Sequence, residues 1–451
     1  MARIRSHLVQ SHSATRPGYR TTVPDPIKPV KATARKVSFG GRTFTASPIF
    51  DTFFWFVAER HRIHQLRVAG KPRPWTEDTI LAEHPFTNVF RVYDRVTQYI
   101  LQNVIGKGSR DLYESCFRVL LFRTFNRIET WEYLEEQLGD LTWRDFDVRQ
   151  YEKVLSKVDG ALYGPVYIIP APGFGWPKNY SNHLRLIQMM MQEDIPKALK
   201  RFQYLKDAHG YICMYPGVGD FTGFQYILDL NMLPHFDWSE NEWAALGPGS
   251  TSCLVKMFGK AVHGHEDAAM RYLRDTQLSH FTRLGIHPDQ IPRLCGSRGA
   301  GLSIVDIEHA LCECDKYSRG AFPEIRGRRT SLHRKWVPDE TPVTADLPSK
   351  WRNPLRPAPS LPKPPAVFQN EGDWPCYEVS HIVAEKKADR GKIRSNKSSC
   401  YLVRWSGYGP EEDTWMSEND LTEGAAEVLA AWRCAKERIE RKVAQLRATR
   451  S

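Results

Sequence analysis

Between Ser47 and about Gly320 the apolar positions recur every three or four residues, the period of helices with one buried face. "FTNVFRVYDRVTQYILQNV" (86–104) puts Phe86, Val89, Phe90, Tyr93, Val96 and Ile100 on such a face. "DLYESCFRVLLFRTFNRIETWEYLEEQL" (111–138) repeats the pattern with Leu112, Cys116, Val119, Leu120 and Ile128. "SIVDIEHALCECDKYSR" (303–319) reads as a further helix that Ser303 can cap. Strict alternation is rare here, so the pattern predicts a mostly α domain over 47–320. The texture then changes twice. Ten prolines between Pro338 and Pro375 forbid long helices and predict an extended linker over 321–374, opened by the basic cluster Arg326, Arg328, Arg329, Arg334 and Lys335. Beyond it "YEVSHIV", "SCYLVRW" and "DTWMS" predict three short strands. A helix follows, first with Val428, Leu429 and Trp432, later with Ile439, Val443 and Leu446. The chain therefore reads as multidomain: a helical domain, a small β+α module at 375–435 and a helical extension at 436–451. Residues 1–46 carry nine Lys or Arg, a single acidic residue (Asp25) and no sustained period, which predicts a disordered basic tail.

Composition narrows the partners. Lys and Arg number 63 against 52 Asp and Glu, a net charge of +11 that favours an anionic partner, nucleic acid above all. The 13 Trp residues supply stacking surfaces. No apolar run approaches the ~20 residues of a membrane span. Nine scattered Cys suit a reducing compartment better than a disulfide framework. The basic tail suits a nuclear destination, with a mitochondrial transit peptide as the alternative. No cofactor motif stands out. Cys312, Cys314 and His309 form the densest set of metal-type donors, but Cys-X-Cys within a helical pattern is poor zinc spacing, so no metal is expected there.

"SCYLVRWSGYGPEEDTWMSENDL" (399–421), with Tyr377 in the strand before it, resembles the chromodomain family. The resemblance implies a curved three-stranded sheet with a C-terminal helix, and a cage of Tyr377, Trp405 and Tyr408 around a methylated lysine of a histone tail. A methylated ammonium is charged but weakly hydrated, so a box of aromatic faces holds it by cation–π attraction. Glu411, Glu412 and Asp413 are expected to add a negative rim, and Trp415 to be a core residue. Met416-Ser417 departs from the Glu-Pro common in the family, and the basic hairpin "EKKADRGKIRSNKSS" is long. Both leave the histone site open and allow a contact with nucleic acid.

"MYPGVGDFTGFQYILDL" (214–230) resembles a helix-hairpin-helix, in which a Gly-X-Gly turn offers backbone N–H groups to a DNA phosphate. Gly217 and Gly219 would allow the turn, and Val218 would plug the gap between the helices. A plain turn between packed helices is the alternative. Asp237 lies eighteen residues past Gly219, where helix-hairpin-helix DNA glycosylases carry their catalytic Asp. Phe221 stands where the glycosylase/lyases place a nucleophilic Lys, which excludes Schiff-base cleavage from that position. With "FRTFNRIETWEYL", "LGPGS" and "DIEHALCECDKYSR", residues 50–320 resemble the α-glutamyl/putrescinyl thymine pyrophosphorylases, also described as the helical domain of 5-hydroxymethyluracil DNA kinases. That family implies replacement of a pyrophosphate on the 5-methylene of a modified thymine by an amine or amino-acid co-substrate. The expected site has Asp237 as the carboxylate, with Glu240 and Glu242 as substitutes. Arg123 and Arg127, one turn apart on a helix, would grip phosphate, with Asn126 beside them. Gly247, Gly249 and Ser250 would form a second phosphate-facing turn, and Phe125, Trp238 and Trp243 would wall the extruded base. A non-catalytic chromatin and DNA adaptor and a monofunctional glycosylase remain the other readings.

Overall fold

In a computed structural model, the described residues are 25, 27–28, 33–166, 168–294, 300–327, 329–332, 343–352, 377–386 and 399–449. Most of residues 1–32 and of the proline-rich stretch, Arg328, Arg334 and Lys335 of the basic cluster, and the chromodomain-like hairpin 387–398 lie outside them.

The first elements among the described residues form a hairpin, β1 (Arg35–Phe39) and β2 (Arg42–Ala46). The helices of the large domain follow: α1 (Ile49–Val68), α2 (Thr79–Glu83), α3 (Arg95–Tyr99), α4 (Leu112–Phe125), α5 (Ile128–Leu138), α6 (Val148–Leu155) and α7 (Asn179–Gln192). Then come α8 (Ile195–Leu199), α9 (Leu205–Ile212), α10 (Asp220–Leu230), α11 (Pro248–Phe258), α12 (Glu266–Arg283) and α13 (Ile304–Ala321). The C-terminal module holds β3 (Val379–Lys386), β4 (Cys400–Trp405), β5 (Thr414–Ser417), α14 (Glu418–Gly424) and α15 (Ala426–Ala448). Its three strands form one antiparallel sheet in the order β3-β4-β5. The expected fold class therefore stands: a mostly helical domain and a separate small sheet with C-terminal helices. Among the described residues no helix is long and apolar enough to cross a membrane.

Helix α1 is the axis of the large domain. All sixteen residues from Ile49 to His64 are buried, including charged ones. Three of those charges are held in ion pairs, Asp51 with Arg35 at 3.1 Å and Arg283 at 2.6 Å, and Glu59 with Arg62 at 2.8 Å, while Arg60 donates to the Phe86 carbonyl at 3.0 Å. Ser303 caps α13 as expected, its Oγ accepting from the Asp306 N–H at 3.2 Å.

Five expectations are corrected. Residues 35–46 are not a tail: "RKVSFGGRTFTA" alternates around Gly40-Gly41, and the hairpin buries Val37, Phe39, Phe44 and Ala46 against the large domain. Phe86 starts no helix. The Asn88 N–H donates to Asp94 Oδ1 at 2.7 Å and Asn88 Nδ2 to the Tyr93 carbonyl, so local side-chain bonds and a single 3-10 turn at Arg91–Tyr93 take the place of an α-helix until Arg95. The 111–138 stretch breaks in two, because Asn126 takes a left-handed conformation (φ 48°). The linker is not all extended spacer, since Leu347 and Trp351 are buried against the large domain. The 436–451 extension is no separate piece: α15 is continuous, and Ile439, Val443 and Leu446 pack on the large domain.

Candidate nucleic-acid and chromatin interface

Tyr377, Trp405 and Tyr408 come together at one end of the small sheet, before β3 and after β4. The Tyr377 ring meets Trp405 at 6.2 Å and 66°, and Tyr408 at 5.7 Å and 76°, so its neighbours stand as walls rather than stacks. Tyr377 is 49% exposed, which leaves the box open to solvent. Trp405 is oriented by its Nε1–H, which donates to Thr414 Oγ1 at 3.2 Å. The expected negative rim is corrected at Asp413. That carboxylate is turned inward and fully buried, accepting from Arg404 at 2.5 Å and 3.1 Å. Trp415 is corrected too: it lies 43% exposed on the short strand β5, with the Lys386 ammonium 4.5 Å over its ring. The tryptophan of the small core is Trp432, whose Nε1–H donates to Glu385 at 3.0 Å.

Sequence reading missed that this module is fastened to the large domain. Arg404, almost wholly buried, lies between its own Asp413 and Asp207 of α9, 2.9 Å away. Lys206 reaches Asp413 at 2.8 Å. A Cβ on Gly210 would fall 1.9 Å from the Val383 carbonyl, so only glycine lets α9 and β3 approach this closely. Arg438 of α15 adds a pair with Glu193 at 2.8 Å. No local pattern signals a contact between residues 197 apart.

Glu242 faces the same junction. Burial, and then the Glu411 charge, push its carboxyl up to about 7. The folded protein thus holds this proton more tightly than an unfolded chain with the ordinary 4.5. The stabilisation is full below 4.5 and is lost as pH rises towards 7. Glu242→Gln removes the charge and keeps the shape. In thermal melts its advantage over the parent is expected to grow from near zero at low pH to a plateau above neutrality; a constant difference across the range would exclude this assignment.

The PGVG turn joins α9 to α10. Val218 is buried between the helices, while Gly217 and Gly219 are exposed. Gly217 has φ 81°, a conformation that favours glycine, and a Cβ there would lie 3.1 Å from Pro172. Gly219 has open space around it. Its N–H donates to Thr222 Oγ1 at 2.9 Å, so that amide is used in capping α10. The turn borders a cleft of about 660 Å³ between the two modules, also lined by Lys206, His209, Cys213, Asp220 and Lys436.

Of the other expected residues, Arg123 and Asn126 come together, while the rest have other partners. Asp237 is 63% exposed, 3.8 Å from Lys350, and the carboxylate that meets Arg123 is Asp229. Asp229 is fully buried and also holds Arg91 at 2.9 Å; Gln225 accepts from Arg91, and Asn126 Oδ1 from Arg123 at 2.9 Å. Arg127 is separated from Arg123 by the helix break and pairs with Glu129 at 3.3 Å. At the LGPGS turn an internal carboxylate fills the place meant for phosphate. Glu308 Oε1 accepts from the Gly247 N–H at 3.0 Å and the Ser250 hydroxyl at 2.8 Å, and Gly249 packs on Cys312. The aromatic wall is dispersed: Trp238 stacks on Phe236, Trp243 lies against His209, and Phe125 stacks on Tyr163. Glu240 is tied to Asn231 at 3.0 Å.

Known proteins divide the chain the same way. The model of the 5-hmdU DNA kinase helical domain matches residues 47–327, and that of the chromo (CHRromatin Organisation MOdifier) domain matches 377–433. A 5-hmdU DNA kinase of Bacillus phage SP10 is 25% identical over 237 residues, 48% of this chain and 37% of that protein. Chromo domain-containing protein cec-3 of Caenorhabditis elegans is 43% identical over 56 residues, 12% of this chain and 14% of that protein. Human Chromodomain Y-like protein 2 is 47% identical over 45 residues, 10% of this chain and 8% of that protein. The chain thus spans little more than a third of the phage relative and less of the others. No solved structure matches. With most of its length matched by one family model, the chain belongs to the 5-hmdU DNA kinase helical-domain family and joins that domain to a chromo domain.

Proposed function

We propose that this is a nuclear chromatin protein that holds a methylated lysine of a histone tail in the Tyr377, Trp405 and Tyr408 box and engages nearby DNA carrying 5-hydroxymethyluracil-type thymine. The observation that carries the reading is the open aromatic box on a module fastened by Arg404 and Asp207 to a helical domain of the DNA-modification class. Methyl-lysine recognition would then fix where the helical domain meets DNA. DNA contact is assigned to the exposed turn at Gly217 and Gly219, where the lack of side chains lets a phosphate approach even though the Gly219 amide itself caps α10, with phosphate rather than base recognised there. Replacement of a leaving group on the modified base by an amine co-substrate is the reaction this family suggests. Arg123 and Asn126 meet, but around the buried Asp229, while Asp237 lies exposed beside Lys350 and Arg127 pairs with Glu129; this argues against the four as one centre, so a DNA-binding adaptor stands as the second reading.

Gly219→Val is the clean test, because space surrounds Gly219 whereas Gly217 is held in a glycine conformation. The added side chain shields the turn. It is expected to cost about 1.5–3 kcal/mol of DNA affinity, the range of a charge-assisted hydrogen bond, with little change in melting temperature. Affinity of the parent is expected to fall steeply with salt. Unchanged affinity would make PGVG a plain turn. Duplexes with and without 5-hydroxymethyluracil, followed by mass spectrometry of the nucleosides, separate the enzyme from the adaptor.

A further inference from the structure

Three metal-type donors meet at the PGVG turn and were not read as a set from the sequence. His209 and Cys213 stand one turn apart along α9 and its C-terminal cap, and Asp220 is the first residue of α10. Their ligand atoms lie within 4.8 Å of one another, and Cys213 Sγ is 3.4 Å from His209 Nε2. Two donors on one tetrahedral zinc, with Zn–N and Zn–S bonds of about 2.0 and 2.3 Å, stand about 3.5 Å apart. The His209 ring is held in place by Trp243, 4.9 Å away, and by the edge of Phe224.

We propose that His209, Cys213 and Asp220 bind a zinc-class divalent cation that staples α9 to α10 across the turn and keeps one coordination position open to the cleft. One nitrogen, one sulfur and one carboxylate make a donor set that suits zinc and does not suit magnesium or calcium. Three protein ligands leave the fourth position to water, as in zinc sites that act on substrate rather than only brace a fold. His209 Nε2 lies 2.8 Å from the Asp220 carbonyl and bonds to it. A cation on that nitrogen would replace this hydrogen bond, so the Asp220 carbonyl would have to turn aside as the site fills. Cys213 binds as thiolate, so its proton leaves to solvent through the cleft that the residue lines.

The site also resolves a conflict in charge. Asp220 places a carboxylate at the start of α10, where it repels any phosphate brought to the turn. A dication on that carboxylate reverses the sign. Lys206 and Lys436 line the same cleft, so the open position faces surroundings that favour an anionic oxygen as the fourth ligand.

The test uses the full chain, stripped by chelator and titrated with Co²⁺, then with Zn²⁺ in competition. One Co²⁺ per chain is expected, with a thiolate-to-cobalt charge-transfer band in the near ultraviolet that Zn²⁺ removes. Cys213→Ser is expected to abolish the band, and Cys312→Ser to retain it. Asp220→Asn, on an exposed residue whose change leaves the core untouched, is expected to weaken Co²⁺ binding at least tenfold. No thiolate band in the parent, a band that survives Cys213→Ser, or an affinity indifferent to Asp220→Asn would each overturn the assignment. The readout needs neither DNA nor turnover, so it stands or falls apart from the function proposed above.

Discussion

Trp405→Ala is expected to weaken binding of a trimethyl-lysine peptide to the full chain by about 2 kcal/mol, roughly thirtyfold in Kd. The indole has the strongest π face of the three aromatics, and its loss opens the box to water that the methylated ammonium would otherwise exclude. The effect is local, because Trp405 packs only partly against the small core. The unmodified peptide gains nothing from the box, so its weak affinity is expected to stay as it was. Trp415→Ala supplies the control: that ring is also exposed, but it lies on β5 under Lys386 rather than in the box, and its removal is expected to leave methyl-lysine binding unchanged. Calorimetric titrations of parent and both variants decide the matter. Equal affinity for methylated and unmodified peptide in the parent would remove the reader function and leave the module as a docking domain.

What the sequence disclosed depended on how far apart the interacting residues lie. The box was legible because "LVRWSGY" and Tyr377 fall in a short module whose strand pairing follows from local pattern. The PGVG turn and the Ser303 cap were legible for the same reason: each is settled within about four residues. The β1–β2 hairpin was also legible, since Gly40-Gly41 sits between alternating apolar positions, but the excess of basic residues hid it. The arginine pair failed on one residue. Helical spacing put Arg123 and Arg127 on one face, and the left-handed Asn126 between them sends them apart. The LGPGS turn failed because its anion is supplied from within, by Glu308, 61 residues from Gly247. The carboxylate for Arg123 failed more instructively. Asp229 lies 106 residues from Arg123 in sequence, inside an apolar-looking helix, and no spacing rule distinguishes it from the exposed Asp237.

Asp229 therefore carries the largest expected effect on stability. Its fully buried carboxylate is shared by Arg91 and Arg123, so it ties α4, α10 and the segment before α3 into one knot. Removing one member of a buried ionic group typically costs about 3–5 kcal/mol, because the charges left behind cannot recover their hydration. Asp229→Asn leaves two guanidiniums where one carboxylate balanced them; Gln225 and Asn126 still accept, but neither carries charge. The expected result is a loss of that size, a large share of the ~5–15 kcal/mol that holds a typical domain. Differential scanning calorimetry of the full chain is the measurement, followed by near-ultraviolet circular dichroism to detect loosened packing. Replacing the whole group with apolar residues, Arg91→Met, Arg123→Met and Asp229→Leu together, is expected to recover much of the loss, since no buried charge then remains. A different outcome would reassign these residues. If Asp229→Asn melts with the parent and keeps its fold yet loses DNA binding or turnover, the knot belongs to the chemistry of the helical domain, and Arg123 and Asn126 return to the site with Asp229 in place of Asp237.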